Sequence, residues 1–171
     1  MIKFRNVATA FLMNDDDFLL MERAKDNDLM PNFWYGVGGH LEREELNNPR
    51  EACLREICEE TGLQEKDIAD LSLKYVLMRR NGNETVLNYV YFGYSKLRQV
   101  VANDEGTLHW IPKEEVLKYN FVDALTLTLK HYLESKVGLN DVLVGVVKKE
   151  NGISSMSWSA LCNMESAVGL T

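Results

Sequence analysis

One stretch limits the chain more than any other: residues 38–63, GGHLEREELNNPREACLREICEETGL, where a glycine-rich approach runs into a helix signposted at both ends. Asn48 stands at the capping position, Pro49 suits the first helical residue, and Glu51 completes a capping-box-like pattern. Gly62 supplies a left-handed residue to end the helix, and Leu63 can fold back on its last turn. On the helical wheel Cys53, Leu54, Ile57, Cys58 and Thr61 share one face, which predicts the core side. Glu56, Glu59 and Glu60 stand at i, i+3 and i+4 on another face, with Ala52 one turn earlier leaving them room. Like charges at this spacing repel by a few tenths of a kcal/mol per pair. A hard divalent cation with oxygen ligands turns that repulsion into binding. The plain alternative is a solvated acidic face. The glycine run tips the balance, because it can bring backbone carbonyls close to the same carboxylates. Arg55, at i±4 spacing from Glu51 and Glu59, can also hold a loop carboxylate.

The rest of the composition narrows the class. A chain of 171 residues with 46% hydrophobic and 26% charged residues is sized for one domain with its own core. A formal charge of −7 counts against a nucleic-acid backbone as partner, and leaves a small phosphorylated ligand open if something such as a metal neutralises it. Cys53, Cys58 and Cys162 are odd in number and lack Cys-x-x-Cys spacing, which speaks against a disulfide framework and a zinc knuckle. The apolar run Val7–Met13 is too short to span a bilayer, and no basic segment or cleavage signal accompanies it. A cytoplasmic protein without a membrane partner is expected.

Along the chain, Val7–Met13 and Phe18–Glu22 flank an acidic turn and read as a hairpin. Leu71–Arg80 and Thr85–Ser95 form a second, joined by Asn81-Gly82. Leu108–Ile111 reads as a short strand, followed by a short helix from Pro112 to Tyr119 and a longer one over Asp123–Lys136. A last hairpin turns at Asn151-Gly152, its second strand alternating Met156, Trp158 and Ala160 against Ser155, Ser157 and Ser159. These elements predict an α+β layer structure with helices on the faces of a mixed sheet.

The helix segment resembles the Nudix box, which runs Gly, five residues, Glu, seven residues, then Arg-Glu-apolar-x-Glu-Glu-x-Gly-apolar. Gly39 and Glu45 keep the first spacing, and residues 55–63 match the second part at every defined position. Nine residues rather than seven separate Glu45 from Arg55, and Asn47-Asn48-Pro49 places the extra length in the loop before the helix. The resemblance implies a Nudix α/β/α sandwich over residues 1–136, with residues 137–171 a C-terminal hairpin extension of the same domain. It implies Mg²⁺ or Mn²⁺ held by Glu59 and Glu60, with Glu56 a further ligand or the base and the Gly38 carbonyl an extra ligand. Arg55 and Glu45 then orient loop and helix. Relatives often carry a carboxylate before a Trp-bearing strand. Glu105, ahead of Trp110, fits that place, and an ordinary turn glutamate is the alternative.

Substrate contacts follow in the same way. Arg23 resembles the strand-end arginine that meets phosphates in MutT-type 8-oxo-dGTP diphosphatases. Phe33, Trp34, Tyr35 and Phe121 offer rings to sandwich a base. Asp123 is either a contact to the base edge or the N-cap of its helix. Arg79 and Arg80 are weaker phosphate candidates and read as a solvated strand end; His40, His109 and His131 have no ligand spacing. The implied activity is hydrolysis of a nucleoside triphosphate, oxidised or not, to monophosphate and pyrophosphate. The alternatives are another diphosphate conjugate, such as ADP-ribose or a sugar nucleotide, and a non-catalytic nucleotide sensor. In the last hairpin, Trp158 packs on its own sheet, walls the cleft, or joins two subunits of a homodimer.

Overall fold

Period-two burial organises the centre of the molecule. In strand β1 (Lys3–Asn14), Ala8, Ala10 and Leu12 point to one side while Phe11 and Met13 point to the other, and all five are buried. A strand buried on both faces belongs in the middle of a sheet. The computed structural model describes residues 2–23, 32–101, 106–135, 138 and 141–161. Chain order continues with β2 (Asp17–Arg23), β3 (Trp34–Tyr35), β4 (Val37–His40) and helix α1 (Pro49–Thr61). Then come β5 (Ile68–Asn81), β6 (Glu84–Ser95), β7 (Gly106–Pro112), helix α2 (Asp123–Glu134), β8 (Leu143–Glu150) and β9 (Ile153–Ala160).

The strands join in the order β3-β2-β1-β6-β5-β8-β9, with β4 paired to β1 and β7 to β2. The pairs β1–β6 and β5–β8 are parallel and the others antiparallel, so the sheet is mixed. Each helix covers one side. Against α2 lie Phe11, Phe18, Tyr75 and Phe92, the last stacked on Tyr132 with centroids 3.6 Å apart. Against α1 lie Ala8, Ala10, Leu12, Val37 and Tyr91, meeting Cys53 and Ile57. Each fully buried large side chain contributes roughly 1.5–3 kcal/mol. The result is the expected α/β/α sandwich.

Partner exchange along β1 positions the site. Val7–Ala10 pair with His40–Val37 of β4, whereas Leu12–Asn14 pair with β2. The glycines of β4 are thereby fixed beside the middle of the sheet, directly ahead of α1.

Several local expectations are corrected. Pro112 is consumed as the last residue of β7, opposite Asp17, so only a 3₁₀ turn at Val116–Lys118 follows. The α1 core stripe is rotated: Ala52, Cys53, Ile57, Glu60 and Thr61 are buried, while Leu54 and Cys58 are half-buried. Asn48 occupies the N-cap position, but its side chain makes no capping bond, and its carbonyl accepts the Glu51 N–H instead. Helix α2 ends at Glu134. In β9, Ser154 joins Met156 and Trp158 on the more covered face, and Ala160 at the end of that row is exposed. Trp158 packs on Tyr75 and His131, with centroids 5.2 and 4.7 Å away. Among the described residues, no helix is long and apolar enough to cross a membrane.

Candidate active site

A cleft of about 1510 Å³ runs from the glycines of β4 across the sheet to the start of α2 and the final hairpin. Its first wall follows from backbone chemistry. Gly38 has φ of 150°, and a side chain there would collide with the Ala8 carbonyl on β1. At Gly39 a Cβ would come within 2.5 Å of Glu56 Oε1. The missing side chains let the carboxylates of α1 approach the strand itself. Gly38 donates its N–H to Glu60 Oε2 at 2.8 Å, and Glu60 is only 3% exposed. Burying a carboxylate costs several kcal/mol unless hydrogen bonds or a cation compensate.

Arg55 holds the other edge. Its Nε and Nη2 donate to the two oxygens of Glu45 at 2.8 and 3.0 Å, a bidentate fork. Nη2 also donates to the His40 carbonyl, and Nη1 to Glu56 and Glu59. The fork holds the Glu45 carboxyl below the usual carboxylate range and raises the arginine. The loop added between Glu45 and Arg55 therefore leaves this pairing in place, with Glu45 closing a 3₁₀ turn (Arg43–Glu45) before α1.

The three helix glutamates do not act as one face. Glu56 and Glu60 line the cleft, while Glu59, with a side chain 56% exposed, leans out toward Arg55. The rotation of α1 that buries Glu60 turns Glu59 to solvent. Among the described residues, no three acidic, histidine or cysteine side chains converge as a ready ligand set. Glu105 lies outside the described residues. What the structure presents is a pair of carboxylates facing a bare glycine backbone, an all-oxygen donor set of the kind hard divalent cations take. The Cys53 thiol is buried and pushed up to about 12 by desolvation, so it is not a thiolate nucleophile.

The expected substrate residues divide. Arg23 and Tyr35 both line the cleft, with the guanidinium 5.5 Å from the ring centroid. Phe33 lines it too, whereas Trp34 packs on His109 and Tyr119. Phe121 is a core residue, 4% exposed and packed on Phe11, because the chain entering α2 turns its ring inward. Asp123 lines the cleft and is not a cap; Val122 holds the cap position. The Asp123 carboxylate accepts from Ser154 Oγ at 2.5 Å and Lys149 Nζ at 3.3 Å, and these bonds hold it below the usual carboxylate range.

Sequence reasoning missed part of the lining. Arg79 is half-buried on the cleft floor and not at a solvated strand end. Thr9 donates to Asn88 at 3.0 Å on the same floor. Val147, Lys149 and Ser154 bring the last hairpin into the wall. The period-two pattern of β5 holds Leu77 and Arg79 in one row, and that row was the available signal.

The family model for the NUDIX domain matches residues 3–132. The fold is similar to that of a mutator MutT protein from Bacillus halodurans, at 20% identity and TM-score 0.67, covering 91% of this chain and 97% of that one. It is also similar to the MutT protein from Methanosarcina mazei Go1, at 19% identity and TM-score 0.64, covering 77% and 94%. The ORF135 protein from E. coli matches at 24% identity and TM-score 0.60, covering 77% and 90%.

Proposed function

The chain belongs to the Nudix family and is a pyrophosphohydrolase, and from that premise we propose that it cleaves nucleoside triphosphates to monophosphate and pyrophosphate. The observation that carries this reading is the approach of Glu56 and Glu60 to Gly38 and Gly39, where no side chain intervenes. Their donor set fits Mg²⁺ or Mn²⁺, with Glu59, the Gly38 carbonyl and Glu105 as further candidate ligands. When bound, such a cation neutralises phosphate oxygens and makes water a better nucleophile at neutral pH.

The chain's own residues do the rest. A Glu56 carboxylate oxygen takes the proton of the attacking water as its oxygen bonds to phosphorus, and the bond to the pyrophosphate oxygen breaks. Glu60 is kept in place by the Gly38 N–H, and Arg55 ties Glu45 and Glu56 into one frame. Arg23 meets the phosphates, while Tyr35 and Asp123 contact the nucleoside. In this reading the enzyme draws on cytosolic nucleotides, and residues 137–171 extend the domain that residues 1–136 begin.

The cleft volume favours one second reading. At about 1510 Å³ it exceeds the roughly 300–1,000 Å³ usual for a small-ligand site and leaves room for a longer diphosphate conjugate. A nucleotide panel with Mg²⁺, scored for phosphate and pyrophosphate, separates the cases. Pyrophosphate with a nucleoside monophosphate supports the first, and cleavage of ADP-ribose or a sugar nucleotide into two monophosphates supports the second. No turnover of any member contradicts both.

A further inference from the structure

The end of the cleft away from the glutamates has a charge pattern that a neutral base does not explain. Register places Arg5, Val86 and Arg79 in one row across β1, β6 and β5, facing the cleft. The next row toward the glycines is Val7, Asn88 and Leu77, a nearly apolar floor. Arg80 and Lys149 stand at the same end, and among the described residues Asp123 is the one carboxylate lining the cleft there. In a chain of net charge −7 this is a local reversal of sign.

Two of these cations have spare capacity. The Arg79 guanidinium makes no hydrogen bond or salt bridge among the described residues, and burial followed by the nearby Arg5 charge holds it below the usual arginine range. Arg5 pairs with Glu84 through Nη2, but its Nε is buried and has no hydrogen-bond partner among the described residues. Half-burying one arginine beside another costs free energy that an anion recovers.

Position says where that anion sits on the substrate. Arg79 is three strands from β4 and about four residues further along, which puts its Cα roughly 15–20 Å from the glycine pair. Arginine and glutamate side chains reach inward from both sides, leaving room for one nucleoside on the apolar row.

We propose that Arg79, assisted by Arg5, selects substrates whose nucleoside carries a second phosphate, on the 2′ or 3′ oxygen of the ribose. The inference rests on the diphosphate chemistry above and narrows its substrate to nucleotides that are also phosphorylated on the ribose.

Binding of adenosine 3′,5′-bisphosphate, adenosine 2′,5′-bisphosphate and AMP to the full chain tests it by calorimetry. At least one bisphosphate should bind about tenfold more tightly than AMP, the scale of an added charge-assisted contact. Arg79→Gln should reduce that ratio to about twofold or less, and Arg79→Lys should restore part of it. Thermal unfolding of each variant checks that the fold is kept. Equal affinity for all three ligands, no measurable binding of either bisphosphate, or an undiminished preference in Arg79→Gln overturns the proposal. So does a result in which Arg79→Gln weakens ATP and leaves the bisphosphate preference intact, since the arginine would then serve the triphosphate chain. None of these ligand pairs depends on turnover, whereas hydrolysis of ATP, which lacks the ribose phosphate, reports on the diphosphate chemistry alone.

Discussion

Gly38 donates its backbone N–H to Glu60 Oε2 across 2.8 Å, joining the glycine strand to a carboxylate buried beneath it. The contact exists because β4 carries no side chains at its second and third positions. Gly39→Ala should therefore damage chemistry more than stability. Its Cβ would lie 2.5 Å from Glu56 Oε1, and displacing that carboxylate should lower kcat by about a hundredfold, as misplacement near 1 Å does. Steady-state kinetics with a circular dichroism melt check this, and unchanged kcat contradicts it.

Arg55 binds Glu45 through two nitrogens while a third reaches Glu56 and Glu59. Lysine keeps the charge and loses the fork. Arg55→Lys should lose about 1 kcal/mol of stability and at least about tenfold in kcat. Urea titration and initial rates measure both. A variant with wild-type kcat would remove Arg55 from the frame of the site.

The parts of this structure legible in sequence are those set by local chemistry. Pro49 and Gly62 bound α1 as expected, and the Asn81-Gly82 and Asn151-Gly152 turns set their hairpins. The rotation of α1 was not legible, because it depends on where Gly38 sits beside the helix in the folded sheet. Asp123 was read as a cap or a ligand, and its partners, Lys149 and Ser154, arrive from 26 and 31 residues away. Arg79 looked like a strand end in solvent because nothing local announces that the last hairpin flanks β5 or that Arg5 of β1 shares its row. Phe121 offered a ring near the site in sequence, yet chain direction into α2 sends it to the core.

His131 is a pH probe of the hairpin contact. Its ring meets Trp158 and its Nδ1 lies 3.1 Å from the Tyr75 hydroxyl. Burial lowers its pKa from 6.5, so the folded state favours the neutral ring. The stability this contact contributes is full above the unfolded value and is lost as pH falls through the folded one. The slope contributed is at most about 1.4 kcal/mol per pH unit. Denaturant titrations from pH 7.5 to 5 should show a shallower loss in His131→Gln than in wild type. Parallel curves would exclude His131 as the titrating group.

Trp158 packs at a tilt against Tyr75 and His131 of its own chain, which cover part of its ring. Trp158→Ala should cost about 2 kcal/mol by opening a cavity in a half-buried cluster. Sedimentation should give the same mass as wild type. The hairpin meets the cleft through Val147, Lys149 and Ser154, so deletion of residues 141–171 should raise KM more than it lowers kcat. Loss of a dimer in either variant would instead assign the hairpin to an interface.

Metal-dependent turnover of wild type beside Glu60→Gln is the most direct measurement of whether Glu56, Glu60 and the β4 glycines form a diphosphate-cleaving centre. Pyrophosphate release from a nucleoside triphosphate should require Mg²⁺ or Mn²⁺, stop in excess chelator, and fall at least about a hundredfold in Glu60→Gln while the melt stays cooperative. Full turnover in chelator, or an undiminished rate in the folded Glu60→Gln protein, would contradict it.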